Sequence, residues 1–259
     1  MLYEVGGAYD IARPEETALG YYEHALSNGP HGDVLRKESR AVFEALTHVS
    51  LIYGGNNVPM RKTELPPFEF LGSWDQQFVA TAIHNGHDVR PDFAAELILP
   101  EPDRLREEDP YTAEIGALIP ARVIVHRSRF EVDLNREREE CVYRSSEEAW
   151  GLDVIRNPPL DDAVVAGSLD VYDAFYAELG RYLDVVAERG PFVVFDIHSY
   201  NHRRDGADAA AGPDEENPEV NVGTGSLDDR FAPVVNTFIQ SLRSANTSTG
   251  VLDVRENIR

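Results

Sequence analysis

Two largely apolar runs stand out along the chain, residues 78–83 and 192–197. Short apolar runs bounded by polar residues fit strands buried on both faces. Each run delivers imidazoles. His84-Asn85-Gly86-His87 follows the first, and His198-Ser199-Tyr200-Asn201-His202 follows the second. Helical periods lie between and around them. Residues 33–50 place Val34, Leu35, Val42, Leu46 and Val49 near one face, with Asp33 as an N-cap. Residues 168–188 carry a stripe of Tyr172, Phe175, Tyr176, Leu179, Tyr182, Leu183 and Val186, with Ser168 to cap it and Gly190-Pro191 to stop it. A third helix is expected over 228–245.

Shorter segments complete the pattern. A brief helix is expected over 93–97, ahead of a Pro100 and Pro102 turn. Residues 123–136 read as strand, loop, strand. In the second of these strands Phe130, Val132 and Leu134 share one face, and Arg129, Glu131, Asp133 and Asn135 share the other. Residues 203–226 read as a long loop, the kind that usually carries function. A last strand begins at 251–254. Strands alternating with helices predict an α/β fold with a mainly parallel sheet flanked by helices. Residues 1–70 read as an N-terminal extension packed on a core domain of 71–259.

Composition narrows the function. The chain has 259 residues, 42% hydrophobic and 9% aromatic, which suits a folded globular protein. No run approaches the ~20 apolar residues of a membrane span, and the first residues lack the basic and apolar regions of a signal peptide. Cys141 stands alone and cannot form an internal disulfide. A cytoplasmic protein is expected. The net charge of -22 opposes binding to nucleic acid or to anionic membranes. An anionic substrate would need a local cluster of arginines to overcome that field.

The histidines suggest a metal. Neutral imidazole is the commonest side-chain metal ligand, and open α/β sheets bind ligands at the C-terminal ends of their strands. His84, His87 and His198 are the candidate ligands; the competing reading is ordinary hydrogen-bonded histidines at strand ends. Arg127, Arg129, Arg136 and Arg138 crowd one stretch, and the fork of Arg suits carboxylates. Arg138 sits in a charge run and is expected to pair with neighbouring acids. His24, His31, His48, His126 and His202 are expected to be incidental, Cys141 to be a small buried side chain, and Ser199 lacks a nucleophile elbow.

Three ordered segments carry a family resemblance. They are Ala80-Thr81-Ala82-Ile83-His84-Asn85-Gly86-His87, Ser128-Arg129-Phe130-Glu131-Val132-Asp133-Leu134-Asn135-Arg136, and Asp196-Ile197-His198-Ser199-Tyr200. Together they resemble the N-formylglutamate amidohydrolase family, which is related to zinc carboxypeptidases. The resemblance implies zinc, a mixed, mainly parallel α/β sheet of the phosphorylase/hydrolase-like (zinc carboxypeptidase-like) kind, and water-driven hydrolysis of a small anionic N-acyl amino acid. It places ligands at His84, His87 and His198. The family relatives use a Glu where this chain has His87, so the third position is open to His87, Asp88 or an acid of Glu107-Glu108-Asp109. It also implies that Arg129 steadies the oxyanion and that Asn135 and Arg136 grip a carboxylate. The general base is expected on a late strand. Glu256 is the acid near that point, and the domain is expected to be truncated or to take its base from elsewhere. The competing functions are a carboxypeptidase-like peptidase and a carboxylate-binding protein with impaired catalysis.

Overall fold

The computed structural model describes residues 2–5, 65–203, 208–225, 227–247 and 250–258. The helix expected over 33–50 lies outside the described residues. The strands of the main sheet are β1 (Leu2–Val5), β2 (Phe68–Leu71), β3 (Phe78–Ala82), β4 (Ala121–Val125), β5 (Val193–Tyr200) and β6 (Val220–Val222), with β9 (Val254–Glu256) at one edge. A separate two-stranded ribbon is made by β7 (Asn246–Thr247) and β8 (Gly250–Val251). The helices are α1 (Pro91–Glu96), α2 (Glu101–Glu107), α3 (Thr112–Gly116), α4 (Asp162–Ala187) and α5 (Ala232–Arg243).

The seven strands run in the order β2-β4-β3-β5-β1-β6-β9. Four of the six pairings are parallel and two antiparallel, so the sheet is mixed and mainly parallel. β3 is central and buried along its whole length. Alternate side chains serve opposite layers: Val79 joins a core with Phe175, Leu179 and Val186 of α4, while Phe78 and Ala80 join one with Phe238, Ile239 and Leu242 of α5. Helices on both faces explain the largely apolar run. Each large side chain buried this way contributes roughly 1.5–3 kcal/mol.

Several elements differ from the sequence expectation. α4 begins at Asp162 and not near 168. Asp161 caps it by accepting from the Ala163 amide at 2.8 Å, and Ser168 is buried inside it, accepting from Arg90. The Pro100 and Pro102 segment opens α2 instead of forming only a turn, because proline fits the first helical turn. The segment expected as a strand over 129–135 is irregular. The Glu131 and Val132 amides both turn back to the Ser128 carbonyl, and Asp133 donates to Cys141 at 2.7 Å. Glu131 and Asp133 are therefore as buried as Phe130, Val132 and Leu134. The loop over 203–226 contains β6. β5 runs on through His198 to Tyr200, because β1 pairs with it antiparallel and matches Leu2 to Tyr200 and Glu4 to His198. The first residues of the chain thus enter the sheet itself. Among the described residues no helix is long and apolar enough to cross a membrane.

Candidate metal centre

The turn after β3 is fixed by a glycine. A Cβ on Gly86 would lie 2.2 Å from the His126 carbonyl carbon, so only glycine allows this approach. The Asp88 amide then donates to the His126 carbonyl at 2.9 Å. This turn leaves His84 fully buried below it. Asn85 holds α3 in place by accepting from the Ala113 amide at 3.0 Å. α3 follows Asp109, whose amide donates to the His84 carbonyl at 2.9 Å.

His84, Asp109 and His198 converge. One candidate ligand atom from each lies within 4.8 Å of the others. His198 Nδ1 stands 2.8 Å from Asp109 Oδ2, and His84 Nδ1 stands 3.4 Å from the same oxygen. That second approach makes no hydrogen bond, and His84 Nδ1 is a buried polar atom with no partner. Such an orphan atom is costly unless something else satisfies it. The far side of each ring is held the same way. His84 Nε2 meets Asp133 Oδ1 at 2.7 Å, and His198 Nε2 meets Asp196 Oδ2 at 2.7 Å. Metal-binding imidazoles are commonly oriented by a carboxylate on the other nitrogen. These residues therefore fit a cation: two Nδ1 atoms and a carboxylate oxygen face inward, and buried carboxylates back both rings. The cluster can hold a metal ion.

The charges agree with this picture. Burial alone would raise the carboxyl of Asp133, but Arg129, His84 and the Tyr143 hydroxyl outweigh it and hold it well below the usual carboxylate range. Burial likewise opposes Asp109, yet His198 and His84 hold it low. For His198 burial acts downward, and Asp196 and Asp109 push the imidazole well above its ordinary value.

The structure does not bring His87 into this group. Its Nδ1 hydrogen-bonds Glu108, and its Nε2 stands 2.8 Å from Arg104 Nη2. Both ring nitrogens are engaged elsewhere, so Asp109 stands where His87 was expected. Of the three successive acids, Glu107 pairs with Arg106, Glu108 meets His87, Ser128 and Arg104, and only Asp109 faces His84 and His198. Three adjacent acids look alike in sequence. They separate here because α2 ends at Glu107 and the chain turns. Glu256 is also elsewhere. It lies on β9, exposed, accepting from Thr224 at 2.7 Å. Three strand spacings, about 14 Å, separate β9 from β5.

Arg129 and Arg136 sit beside Asp133. Arg129 Nη2 donates to Asp133 Oδ2 at 2.9 Å, and its Nε is buried without a partner. Burial would lower the guanidinium, but Asp133 more than compensates and keeps it charged. Arg136 Nε approaches Asp133 Oδ2 at 3.6 Å, and its Nη2 donates to the Glu148 carbonyl at 2.7 Å. The backbone amide of Asn135 donates to Asp133 Oδ1 at 3.0 Å, and the residue is exposed. Aromatic rings cover the guanidiniums: Arg129 lies 4.8 Å from the Trp150 ring centroid, and Arg136 lies 4.6 Å from that of Tyr143. Sequence reasoning gave Asp196, Tyr143 and Trp150 no role, although Asp196 stands in the D-x-H segment that carries the resemblance.

The remaining candidates fall outside the cluster. Arg138 forms a bidentate pair with Asp173 at 2.7 and 2.8 Å, not with its sequence neighbours. His126 faces Glu69 at 3.3 Å. Cys141 is buried, and burial pushes its thiol up to about 12. Neither a curated protein nor a solved structure matches the chain. The N-formylglutamate amidohydrolase family model matches residues 76–257, a span that takes in the converging histidines, the acid between them and the arginine segment, and the chain belongs to that family.

Proposed function

We propose that the chain hydrolyses the amide bond of a small N-acyl amino acid in a zinc-dependent reaction, N-formylglutamate being the substrate that the family is named for. The observation that carries this reading is the orphaned Nδ1 of His84, aimed at the same Asp109 oxygen that His198 approaches. Two imidazoles and one carboxylate are a donor set that catalytic zinc sites use. His84, Asp109 and His198 would hold the ion, with Asp109 in place of His87. When bound, zinc brings the pKa of a water ligand to about 7 and polarises the acyl carbonyl.

The chain's own residues supply the rest. Asp133 and Asp196 would hold the ring protons on Nε2 of His84 and His198 when a metal takes the place of the proton at Nδ1, so that each Nδ1 faces inward. Arg129, buried beside Asp133, offers its unpartnered Nε–H and its charge to the developing oxyanion, a role usually worth several kcal/mol. Arg136 and the exposed Asn135 receive the substrate carboxylate. Glu256 takes no part. Metal-binding side chains at and just beyond neighbouring parallel strands, β3 and β5, support a zinc carboxypeptidase-like relation. Residues 71–259 form the amidohydrolase domain in this reading, and β1 and most of β2 are the described parts of the N-terminal extension that join its sheet.

The test is formate release from N-formylglutamate by protein purified without chelator. The expected result is turnover that a strong chelator abolishes and that added zinc restores. Turnover unaffected by prolonged chelation, with no metal in the protein, would overturn the assignment.

A further inference from the structure

Every residue of β3 is buried, and the strand lies inside the sheet between β4 and β5. Val79 and Ile83 join the apolar core that contains Phe175, Leu179 and Val186 of α4. Thr81 stands between them in sequence, 1% exposed, and is the polar member of the run. A hydroxyl in such a place is costly unless it is bonded. Valine has the same branched shape and would fill the space with no polar atom. The Thr81 hydroxyl donates to Asp196 Oδ1 at 2.5 Å, and Asp196 is itself fully buried on β5. The two residues are partners in the parallel register of β3 and β5.

From Asp196 the contacts run on to the metal centre. Its other oxygen, Oδ2, meets His198 Nε2 at 2.7 Å, and His198 Nδ1 stands 2.8 Å from Asp109 Oδ2. The terminal torsion of an aspartate has no sharp minimum. A hydroxyl bound at one oxygen fixes the carboxylate plane and keeps the second oxygen aimed at the imidazole. Threonine suits this task, because its branched Cβ makes the side-chain torsion stiff. The other half of the centre is built alike. The Tyr143 hydroxyl donates to Asp133 Oδ2, and Asp133 Oδ1 meets His84 Nε2 at 2.7 Å. Each carboxylate that backs an imidazole thus accepts from a buried hydroxyl at its far oxygen.

We propose that Thr81 is a positioning residue of the metal centre: its hydroxyl sets the plane of the Asp196 carboxylate and, through it, the direction in which His198 presents Nδ1. This rests on the reading of His198 as a zinc ligand. Thr81 touches neither the ion nor the substrate in this account, and its effect passes through Asp196. Two substitutions separate the hydroxyl from the methyl group. Thr81→Val keeps the shape and removes the donor, whereas Thr81→Ser keeps the donor and removes the methyl.

The experiment measures zinc affinity by equilibrium dialysis for wild type, Thr81→Val and Thr81→Ser, together with hydrogen exchange of the His198 Nε2 proton by NMR. The expected result is zinc bound about tenfold more weakly by Thr81→Val, with faster exchange of that proton, and both values near wild type in Thr81→Ser. In an Asp196→Asn background Thr81→Val should weaken zinc binding little further, because the two residues act as one unit. Thr81→Ser weakening zinc more than Thr81→Val would assign the residue to packing and overturn the proposal. A full additional loss in the Asp196→Asn background overturns it too, since Thr81 would then act by another route. Zinc bound equally by wild type and Thr81→Val overturns the proposal alone, whereas no zinc in wild type overturns the metal reading and the proposal with it.

Discussion

His84 and His87 lie in one turn, three residues apart, and their surroundings differ at every atom. His84 is fully buried, has one nitrogen fixed by Asp133, and has the other left without a partner. His87 is partly exposed and has both nitrogens engaged, by Glu108 and by Arg104. What distinguishes a candidate ligand from an ordinary histidine here is the pairing of one held nitrogen with one unsatisfied nitrogen. Nearness to other histidines in sequence does not separate them.

The largest effect should come from removing a ligand atom on the His84 side of this contrast. His198→Ala should lower amidase activity on the order of 10³-fold or more, the worth of several kcal/mol of metal assistance. A fall of only a few-fold would place His198 outside the chemistry. The next effect concerns the backing carboxylates. Asp133→Asn and Asp196→Asn should each weaken zinc binding by about 10- to 100-fold without removing a ligand. Unchanged zinc affinity in both would show that the rings need no such support. Arg136→Ala is smaller, about a tenfold rise in KM with kcat nearly kept. A change confined to kcat would move Arg136 from carboxylate binding to the reacting atoms.

The smallest effect lies on the His87 side and should appear in stability. The Glu108 hydrogen bond raises His87, and burial only partly opposes it. A raised histidine stabilises the fold fully below the unfolded value near 6.5, and the contribution is lost as pH rises through the folded value. The difference in melting temperature between wild type and His87→Gln should therefore be largest at acid pH and close as pH rises. A gap that is constant with pH would show that His87 acts by packing alone.

The same contrast shows how much the sequence disclosed. The runs at 78–83 and 192–197 became β3 and β5, because strands covered by helices on both faces are largely apolar, the buried Thr81 and Asp196 being the polar members. His84 and His198 followed from them. The clean alternation over 129–135 misled, because turns at Ser128 and Asp133 bury its polar side chains along with its apolar ones. Asp109 was one of three equivalent acids until the end of α2 set their directions. The extension of β5 through His198 depends on β1, a partner nearly 200 positions away that no local pattern reveals. Apolar runs show where the buried strands lie, whereas the third candidate ligand and the backing carboxylates depend on contacts between distant segments.

The central claim is that His84, Asp109 and His198 hold the metal and His87 does not. A zinc titration by equilibrium dialysis of wild type, His87→Gln and Asp109→Asn tests it directly. The account predicts about one tightly bound zinc per chain in wild type and in His87→Gln, with tight binding lost in Asp109→Asn. Tight zinc retained by Asp109→Asn and lost by His87→Gln would contradict it.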